Sequence, residues 1–360
     1  GYARWLMELF WVTIAEEERQ IGNTATVLYP QITTLPETIE HSSLTVKEGE
    51  LFAPGISGIK NAVSLLRSMQ VTTLYLTDRP YATWRYLIFR LAGVQKIIVH
   101  DHTPGDRPEI NGIKGFVKYC RNRLPFITVD AVFAISPLMR DRAIKNARFP
   151  AQKCRIVQNG IRPIGQTKKK DTVRDELGIS QSAVVFVTTG RLHHYKRQDL
   201  IINAFNKLWQ QTNTLVKLLV IGDGPQRQQF ETLAKQSDAK SDIHFLGYRN
   251  DVPDILNSCD IAVHAAKGEG FALSIVEYMA LGLPVLVPDV PSVSQAVTDG
   301  NDGIVYNDAN ADYLTQAMLN VTENSDKRKA LGENARKTAK KYTLENMLLQ
   351  FICDWSITRK

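Results

Sequence analysis

Short apolar runs rich in β-branched residues alternate along the whole chain with segments in which apolar residues recur at helical spacing. The first half carries strand-like runs at 26–29, 72–76, 96–100, 131–135 and 155–157, and helical patterns around 59–69, 81–92, 113–123 and 137–147. The second half carries strand-like runs at 184–188, 217–221, 243–246, 261–264, 284–287 and 303–305. Continuous apolar strands that alternate with helices predict an α/β protein whose parallel sheets are covered on both faces.

A polar, turn-rich stretch near residue 165 divides this pattern in two. Asn159-Gly160 marks a turn, Pro163 and Gly165 follow, and three lysines occupy 168–170. We therefore predict two doubly wound, Rossmann-like domains, 1–165 and 166–340, and a C-terminal helical segment, 341–360, that packs back on the N-terminal domain. Ligands of such sheets bind outside the carboxyl ends of the strands, so we expect the two domains to face a cleft.

The first twenty residues already read as an amphipathic helix, with Trp5, Phe10 and Ile14 on one face. The acidic run 16–18 is unlike a signal peptide. The chain opens on this helix, at Gly1 rather than at Met. We therefore expect that upstream residues, including a first strand, are missing from the sequence.

Length and composition are ordinary for a globular enzyme, with 360 residues, 44% hydrophobic and 22% charged. No uncharged apolar run reaches the ~18 residues that a membrane-spanning helix needs. The four cysteines show neither CxxC nor metal-knuckle spacing. We interpret them as reduced structural thiols, which favours a cytoplasmic protein.

The net charge of +7 lies entirely in the first half of the chain. Residues 1–165 hold 21 Lys+Arg and 14 Asp+Glu, whereas residues 166–360 hold 23 of each. Within 115–126, Phe116, Tyr119 and Leu124 alternate with basic residues. This segment is either an ordinary amphipathic helix that faces the core or a surface for peripheral contact with an anionic membrane.

Two carboxylates lie eight residues apart after the run 261–264. Glu269 falls in a loop, and Glu277 lies about one and a half turns into a helix that begins near residue 272. Glu277 can accept both hydroxyls of a ribose. The start of that helix offers free backbone amides to phosphate or sugar oxygens, those of Gly270, Phe271, Ala272 and Leu273. A pair of surface-capping carboxylates is the alternative.

Two basic residues follow the run 184–188 after Gly190. They are Arg191 and Lys196. A guanidinium fork together with an ammonium group is what a diphosphate leaving group requires, and two such cations can offset the developing charge without a metal ion. Exposed basic residues after a turn explain the same pattern equally well.

Glycine turns follow the next two strand runs. Gly222 and Gly224 come after 217–221, and Gly247 precedes Tyr248 after 243–246. Glycine lets the backbone approach a ligand closely, and the second turn is placed to approach a nucleotide base. A plain turn between strand and loop is at least as good an interpretation of both.

In this order the motifs resemble the nucleotide-sugar half of the family-4 retaining glycosyltransferases (glycosyl transferases group 1), which have the GT-B fold. The order GRL…K, GDGP, FLG, CDI, EGF…E, GLPV extends across 183–306, and 157–161 resembles the family's domain-closing strand. Four residues depart from the usual pattern: Ala265-Ala266 stands for Pro-Ser, Tyr278 for Ala, and Arg162 for Asp.

The resemblance implies a role for each matching residue. Arg191 and Lys196 would bind the donor diphosphate, Glu269 would hold sugar hydroxyls and phosphate with the amides that follow it, and Glu277 would bind the ribose. A histidine at the end of the run 96–100 would face the donor sugar.

His102 is our first choice for that histidine and His100 the second. The family's N-terminal glycine loop would fall before or at Gly1.

The implied function is retaining transfer of a hexosyl group from a UDP- or GDP-sugar to a glycan, lipid-linked or small-molecule acceptor, in cell envelope polysaccharide biosynthesis. The resemblance implies neither a permanent cofactor nor a bound metal, and no partner nucleic acid. The protein would be cytoplasmic or peripheral on the inner membrane face. Two alternatives stay open: a nucleotide-sugar epimerase of the same fold, and a non-catalytic GT-B protein that binds membranes or anions.

Overall fold

A computed structural model describes residues 4–104 and 109–359. These residues form two compact units. The first unit contains residues 4–103, 109–158 and 345–359. The second contains residue 104 and residues 159–344. The C-terminal segment thus belongs to the same unit as the first half of the chain.

The first unit contains a four-stranded parallel sheet in the order β3-β4-β5-β6. Strands β1 and β2, which precede it in the sequence, form a separate parallel pair. The strands are β1 (Thr26–Tyr29), β2 (Thr45–Glu48), β3 (Thr73–Thr77), β4 (Lys96–Asp101), β5 (Ala131–Ala134) and β6 (Cys154–Ile156). The helices are α1 (Arg4–Gln20), α2 (Glu37–Glu40), α3 (Gly55–Ser68), α4 (Trp84–Leu91), α5 (Gly112–Arg121), α6 (Pro137–Lys145) and α15 (Leu344–Thr358).

The first and last helices of the chain pack together in this unit. Phe10 of α1 and Phe351 of α15 lie with ring centroids 4.7 Å apart, and both are fully buried. The indole of Trp355 donates to Glu18 Oε1 at 2.8 Å, and Arg359 donates to the same oxygen at 2.7 Å. Aromatic packing and these charge-assisted hydrogen bonds therefore fix α15 to α1.

The second unit is a six-stranded parallel sheet in the order β12-β11-β10-β7-β8-β9. Its strands are β7 (Val184–Thr189), β8 (Val216–Ile221), β9 (Ile243–Gly247), β10 (Ile261–Val263), β11 (Val285–Pro288) and β12 (Gly303–Tyr306). Its helices are α7 (Lys170–Glu176), α8 (Gln198–Gln211), α9 (Arg227–Lys235), α10 (Val252–Ser258), α11 (Leu273–Ala280), α12 (Pro291–Ser294), α13 (Ala311–Glu323) and α14 (Ser325–Ala339).

The predicted strand runs coincide with observed strands to within one residue at each end. Strand β2 is the one observed strand that the pattern missed. Its four residues are exposed or half-buried, so no buried apolar face marks it in the sequence. The predicted α/β class with parallel sheets is confirmed.

The structure describes the environment of the four cysteines and the lengths of the helices. Cys154 and Cys259 are buried free thiols, whereas Cys120 and Cys353 are exposed. Across the described ranges, no helix is both long and apolar enough to cross a bilayer.

A buried arginine anchors the edge of the second sheet where strands begin. Arg174, 1% exposed, donates to the backbone carbonyl of Ser258 at 2.9 Å and to Asp260 Oδ2 at 2.7 Å. The same carboxylate oxygen accepts the amide of Val185 at 2.8 Å. The Cys-Asp-Ile motif at 259–261 therefore joins α7 to the starts of β7 and β10.

We expect Arg174→Met to lower the free energy of unfolding by roughly 3 kcal/mol, because Asp260 then keeps its ion pair with Lys170 but not that with Arg174, and the buried carbonyl of Ser258 loses its donor. Urea unfolding of the purified chain measures this change. Lys168→Met is the matched control, since Lys168 forms an exposed ion pair with Glu176 and its loss should leave stability nearly unchanged. Equal losses in the two variants would contradict the anchoring role.

Candidate functional site

The strand order of the second unit reverses between β7 and β10. Strands β8 and β9 lie on one side of β7, and β11 and β12 lie beyond β10. Adjacent connections leave such a sheet in opposite directions at this point, which opens a crevice outside the carboxyl ends of the two strands. The loops after β7 and β10 carry the predicted Arg191, Lys196 and Glu269.

The loop after β7 turns sharply at Gly190, whose φ is +142°. Arg191 follows and is exposed; within residues 4–104 and 109–359 its guanidinium has neither a hydrogen bond nor an ion pair. A short 3-10 turn, His194–Lys196, brings Lys196 back toward the glycine. A Cβ placed on Gly190 would lie 3.9 Å from Lys196 Cε. Both predicted cations thus belong to one compact loop.

Backbone contacts join this loop to the turn after β8. A Cβ on Gly222 would lie 2.0 Å from the carbonyl oxygen of Gly190, and one on Gly224 would lie 2.2 Å from that of Leu192. The amide of Leu192 donates to the carbonyl of Asp223 at 2.9 Å. Close packing between the two loops therefore explains why glycine stands at both positions, and the contact of these glycines with a ligand stays a prediction.

The turn after β9 continues the same edge. The amide of Gly222 donates to the carbonyl of Gly247 at 2.8 Å. Gly247 has a φ of +64°, and Tyr248 behind it is 80% exposed. The turn is thus part of the loop cluster, and a nucleotide contact through Tyr248 stays a prediction.

Glu269 forms an ion pair with Lys196 across the point where the strand order reverses. His264 Nε2 lies 3.3 Å from the same carboxylate oxygen, Oε1. Burial alone would raise the pKa of Glu269, but the hydrogen bond to His264 and the positive charge of Lys196 outweigh it and lower the pKa to about 2. Glu269 is therefore a fixed anion at neutral pH, well suited to accept hydrogen bonds.

The N-terminus of α11 lies directly after Glu269. The amides of Phe271, Ala272 and Leu273 have no acceptor among the residues that the structure describes, as expected for the first turn of a helix. The side chain of Gln295 donates to the carbonyl of Gly270 at 3.1 Å and holds this loop in place. The ring of Phe271 is buried and packs against Tyr342, so of this residue only the backbone remains for a ligand.

Glu277 is half-buried on α11, beside a tyrosine that fixes the helix. The hydroxyl of Tyr278 accepts the amide of Thr189 at 2.6 Å, and Thr189 directly precedes Gly190. Helix α11 is therefore tied to the strand end from which Arg191 extends. The sequence analysis noted Tyr278 only as a departure from the family's usual alanine, and it placed His264 only at the end of a strand. A polar residue at the end of a buried apolar run was the signal that could have identified His264.

The histidines predicted in the first unit have different surroundings. His100 is fully buried, and its Nδ1 lies 2.5 Å from the hydroxyl of Tyr75, so its contacts are those of a core residue. His102 has two ring nitrogens without a hydrogen-bond partner in the described ranges, and burial lowers its pKa to about 4. His100 Nε2 also has no hydrogen-bond partner there, so a donor-sugar contact stays a prediction for both histidines. Gly1 lies outside the described residues.

Two family models match the chain. The model described as Glycosyl transferases group 1 matches residues 169–338. The model described as Glycosyltransferase Family 4 matches residues 7–163. Between them they cover most of both units.

Solved structures with similar folds extend over nearly the whole chain. A glycosyltransferase from Rickettsia africae ESF-5 aligns with a TM-score of 0.78 at 16% identity, over 99% of this chain and 95% of the other. Anabaena HepE, solved with UDP and glucose, aligns with a TM-score of 0.74 at 19% identity, over 97% of this chain and 95% of the other. Similarity at this identity establishes the fold alone.

Curated relatives match shorter stretches. The lipopolysaccharide glucosyltransferase WaaG of Escherichia coli K12 is 27% identical over 201 residues, which is 54% of each chain. The chain spans about half the length of the curated relatives it matches.

We expect Gly222→Ala to lower the free energy of unfolding by about 3 kcal/mol, because the new methyl group overlaps the Gly190 carbonyl and the positive φ is strained. Gly178→Ala is the matched control: its φ is also positive, but a Cβ there meets nothing within 4 Å, so only about 1 kcal/mol should be lost. Denaturant titration of both variants decides. If the two variants lose equal free energy of unfolding, the overlap with the Gly190 carbonyl does not contribute, and close packing of the loops after β7 and β8 is not required for stability.

Proposed function

The chain belongs to the group 1 glycosyl transferases and has their GT-B fold, and from this premise we propose that it transfers a hexosyl group from a nucleoside diphosphate sugar with retention of anomeric configuration. The observation that carries the proposal is the Lys196–Glu269 ion pair at the reversal of strand order, beside the exposed Arg191 and the start of α11. One crevice thereby gathers cations for a diphosphate, amides for its oxygens and a fixed carboxylate for sugar hydroxyls.

Arg191 and Lys196 act on the leaving group in this proposal. When the bond between the anomeric carbon and the phosphate oxygen breaks, the diphosphate gains negative charge, which both cations stabilise. The amides of Phe271, Ala272 and Leu273 add hydrogen bonds at the positive end of the helix. The acceptor hydroxyl attacks from the face that the diphosphate leaves, and its proton passes to the departing phosphate oxygen.

Glu269 and Glu277 orient the donor. A carboxylate with a pKa of about 2 is too weak a base to take a proton from an alcohol and is not protonated at neutral pH. Glu269 therefore holds sugar hydroxyls by accepting their hydrogen bonds. Glu277, eight residues further along on α11, takes the ribose hydroxyls.

We propose UDP as the first nucleotide to test, because HepE was solved with UDP and with UDP-glucose. Residues 166–340 would bind the donor and residues 1–165 the acceptor. NMR of the anomeric configuration in the product tests retention. Incubation with the donor alone tests whether the sugar epimerises instead.

We expect millimolar UDP to raise the thermal unfolding temperature and Arg191→Ala to weaken UDP binding by roughly 1.5–3 kcal/mol, about tenfold or more, because a charged hydrogen bond to phosphate is lost. Isothermal titration measures the dissociation constant. Lys235→Ala is the control, since Lys235 is an exposed cation at the far end of α9. If neither UDP nor GDP stabilises the chain, the assignment of this site is wrong.

The surface of helix α5 supports an acceptor that is linked to lipid. Gly115 is the buried residue of this ten-residue helix, while Ile113, Phe116 and Val117 are 84%, 68% and 59% exposed. The loop that follows exposes Phe126 as well. An apolar surface of this kind on a monomer marks an interaction site.

Basic residues surround the same apolar surface. Lys114 and Arg121 on α5 are exposed, and Arg123 lies over the ring of Tyr119 at 3.4 Å. Lys118 Nζ donates to the carbonyl of Asn146 at 2.9 Å and anchors the helix to the unit. Apolar side chains among cations fit the headgroup region of an anionic bilayer, and we propose that α5 holds the protein on the cytoplasmic face of such a membrane.

We expect the chain to co-sediment with vesicles of phosphatidylcholine that contain phosphatidylglycerol, and Lys114→Gln with Arg121→Gln to weaken this binding by roughly 2 kcal/mol, about thirtyfold. Phe116→Ser should also weaken it, because less apolar area is buried. Leu215→Ser is the control, since Leu215 is 45% exposed in the other unit. Equal binding to pure phosphatidylcholine would contradict the electrostatic contribution.

A further inference from the structure

A row of polar side chains leads from helix α11 to the carboxylate of Glu269. His264 follows β10 directly and is 2% exposed. Its Nδ1 lies 3.4 Å from Ser274 Oγ in the first turn of α11, and its Nε2 lies 3.3 Å from Glu269 Oε1. Both ring nitrogens of this buried histidine therefore have a partner.

The chemistry of these partners fixes the proton on the ring. An ionised carboxylate only accepts hydrogen bonds, so the nitrogen that faces Glu269, Nε2, must carry the hydrogen. Burial lowers the pKa of His264, and the ring is neutral at pH 7. Nδ1 is then an acceptor, and the hydroxyl of Ser274 donates to it.

The row continues to the loop that carries Arg191. Tyr278 lies one turn after Ser274 on α11, and its hydroxyl accepts the amide of Thr189 at 2.6 Å. The position of the imidazole is thus set by α11 and, through Tyr278, by the end of β7. Movement of either element would change the direction in which Nε2 donates.

The two carboxylate oxygens of Glu269 are used differently. Lys196 and His264 both contact Oε1. In the described part of the chain Oε2 has no hydrogen-bond partner. A carboxylate fixed through one oxygen presents the other in a defined direction to a ligand.

We propose that His264 is a positioning residue, held as its Nε2–H tautomer by Glu269 and aligned through Nδ1 by Ser274, that fixes Glu269 so that Oε2 meets a hydroxyl of the donor sugar. The sugar contact rests on the function proposed above, whereas the tautomer and the order of hydrogen bonds do not. A histidine that only fills space would have no need of a particular tautomer.

The direct test is nitrogen NMR of the chain labelled at its histidines, with the His264 signal assigned by its loss in His264→Gln. At pH 7 the signals should show a neutral ring protonated at Nε2. Ser274→Ala should leave the ring neutral and protonated at Nε2, because Glu269 still requires a donor there, but should shift the Nδ1 signal, because Nδ1 loses its donor. A ring protonated at Nδ1, or an Nδ1 signal unaffected by Ser274→Ala, overturns the proposal even if the chain binds no nucleotide.

Binding separates a positioning role from general destabilisation. His264→Leu should weaken UDP-glucose binding at least tenfold while changing UDP binding less than twofold, because UDP lacks the glucosyl group whose hydroxyls Glu269 would hold. His264→Gln should restore most of the affinity, since its amide can donate near the position of Nε2. Equal loss for UDP and UDP-glucose, or equal defects in the two variants, would show a structural role. If the wild-type chain does not bind UDP, the proposed function fails and the NMR result still decides the tautomer.

Discussion

The ion pair between Lys196 and Glu269 joins the two halves of the second sheet at the point where strand order reverses. Both side chains are largely buried, so each charge alone would carry a large desolvation penalty. Together, and with His264 on the same carboxylate oxygen, they form a compensated unit. The loops after β7 and β10 are therefore held together by charge, and Arg191 and the start of α11 take their positions from those loops.

Close backbone packing makes this pairing possible. Gly222 and Gly224 allow the loops after β7 and β8 to lie at distances that no side chain would permit, and Gly190 supplies the positive φ of the first loop. The first of these loops can then turn back at once, which places Lys196 beside Gly190 and within reach of Glu269. The glycines therefore contribute to the site by allowing the loop that carries Lys196 to pack closely against the loop after β8.

Sequence patterns were sufficient for the sheets because strands in parallel sheets are buried on both faces and read as uninterrupted apolar runs. Val184–Thr189 and Val216–Ile221 show this directly. The same reasoning could not find β2, whose residues are exposed or half-buried, nor the partners of Glu269, because His264 and Ser274 meet only through the tertiary fold.

Sequence patterns also could not choose between the two interpretations of α5, since an amphipathic pattern is the same whether its apolar face meets a core or solvent. The structure leaves Phe116 exposed, so its ring does not face the core, and contact of α5 with a membrane stays a proposal.

The distribution of charge separates two kinds of anion recognition. In the second half positive and negative residues balance, and many cations are paired, as Arg174 is with Asp260 and Lys217 with Asp242. An exposed guanidinium such as that of Arg191 then acts over a short range, because its field is screened within ~8 Å at physiological ionic strength.

The first half of the chain instead carries the whole excess of +7, spread over many exposed side chains. A broad positive surface attracts an extended anionic partner and selects no single group, whereas a few fixed cations recognise one diphosphate. In the proposed function, the broad basic surface of the first unit serves the anionic bilayer, and the few fixed cations of the second unit serve the soluble donor.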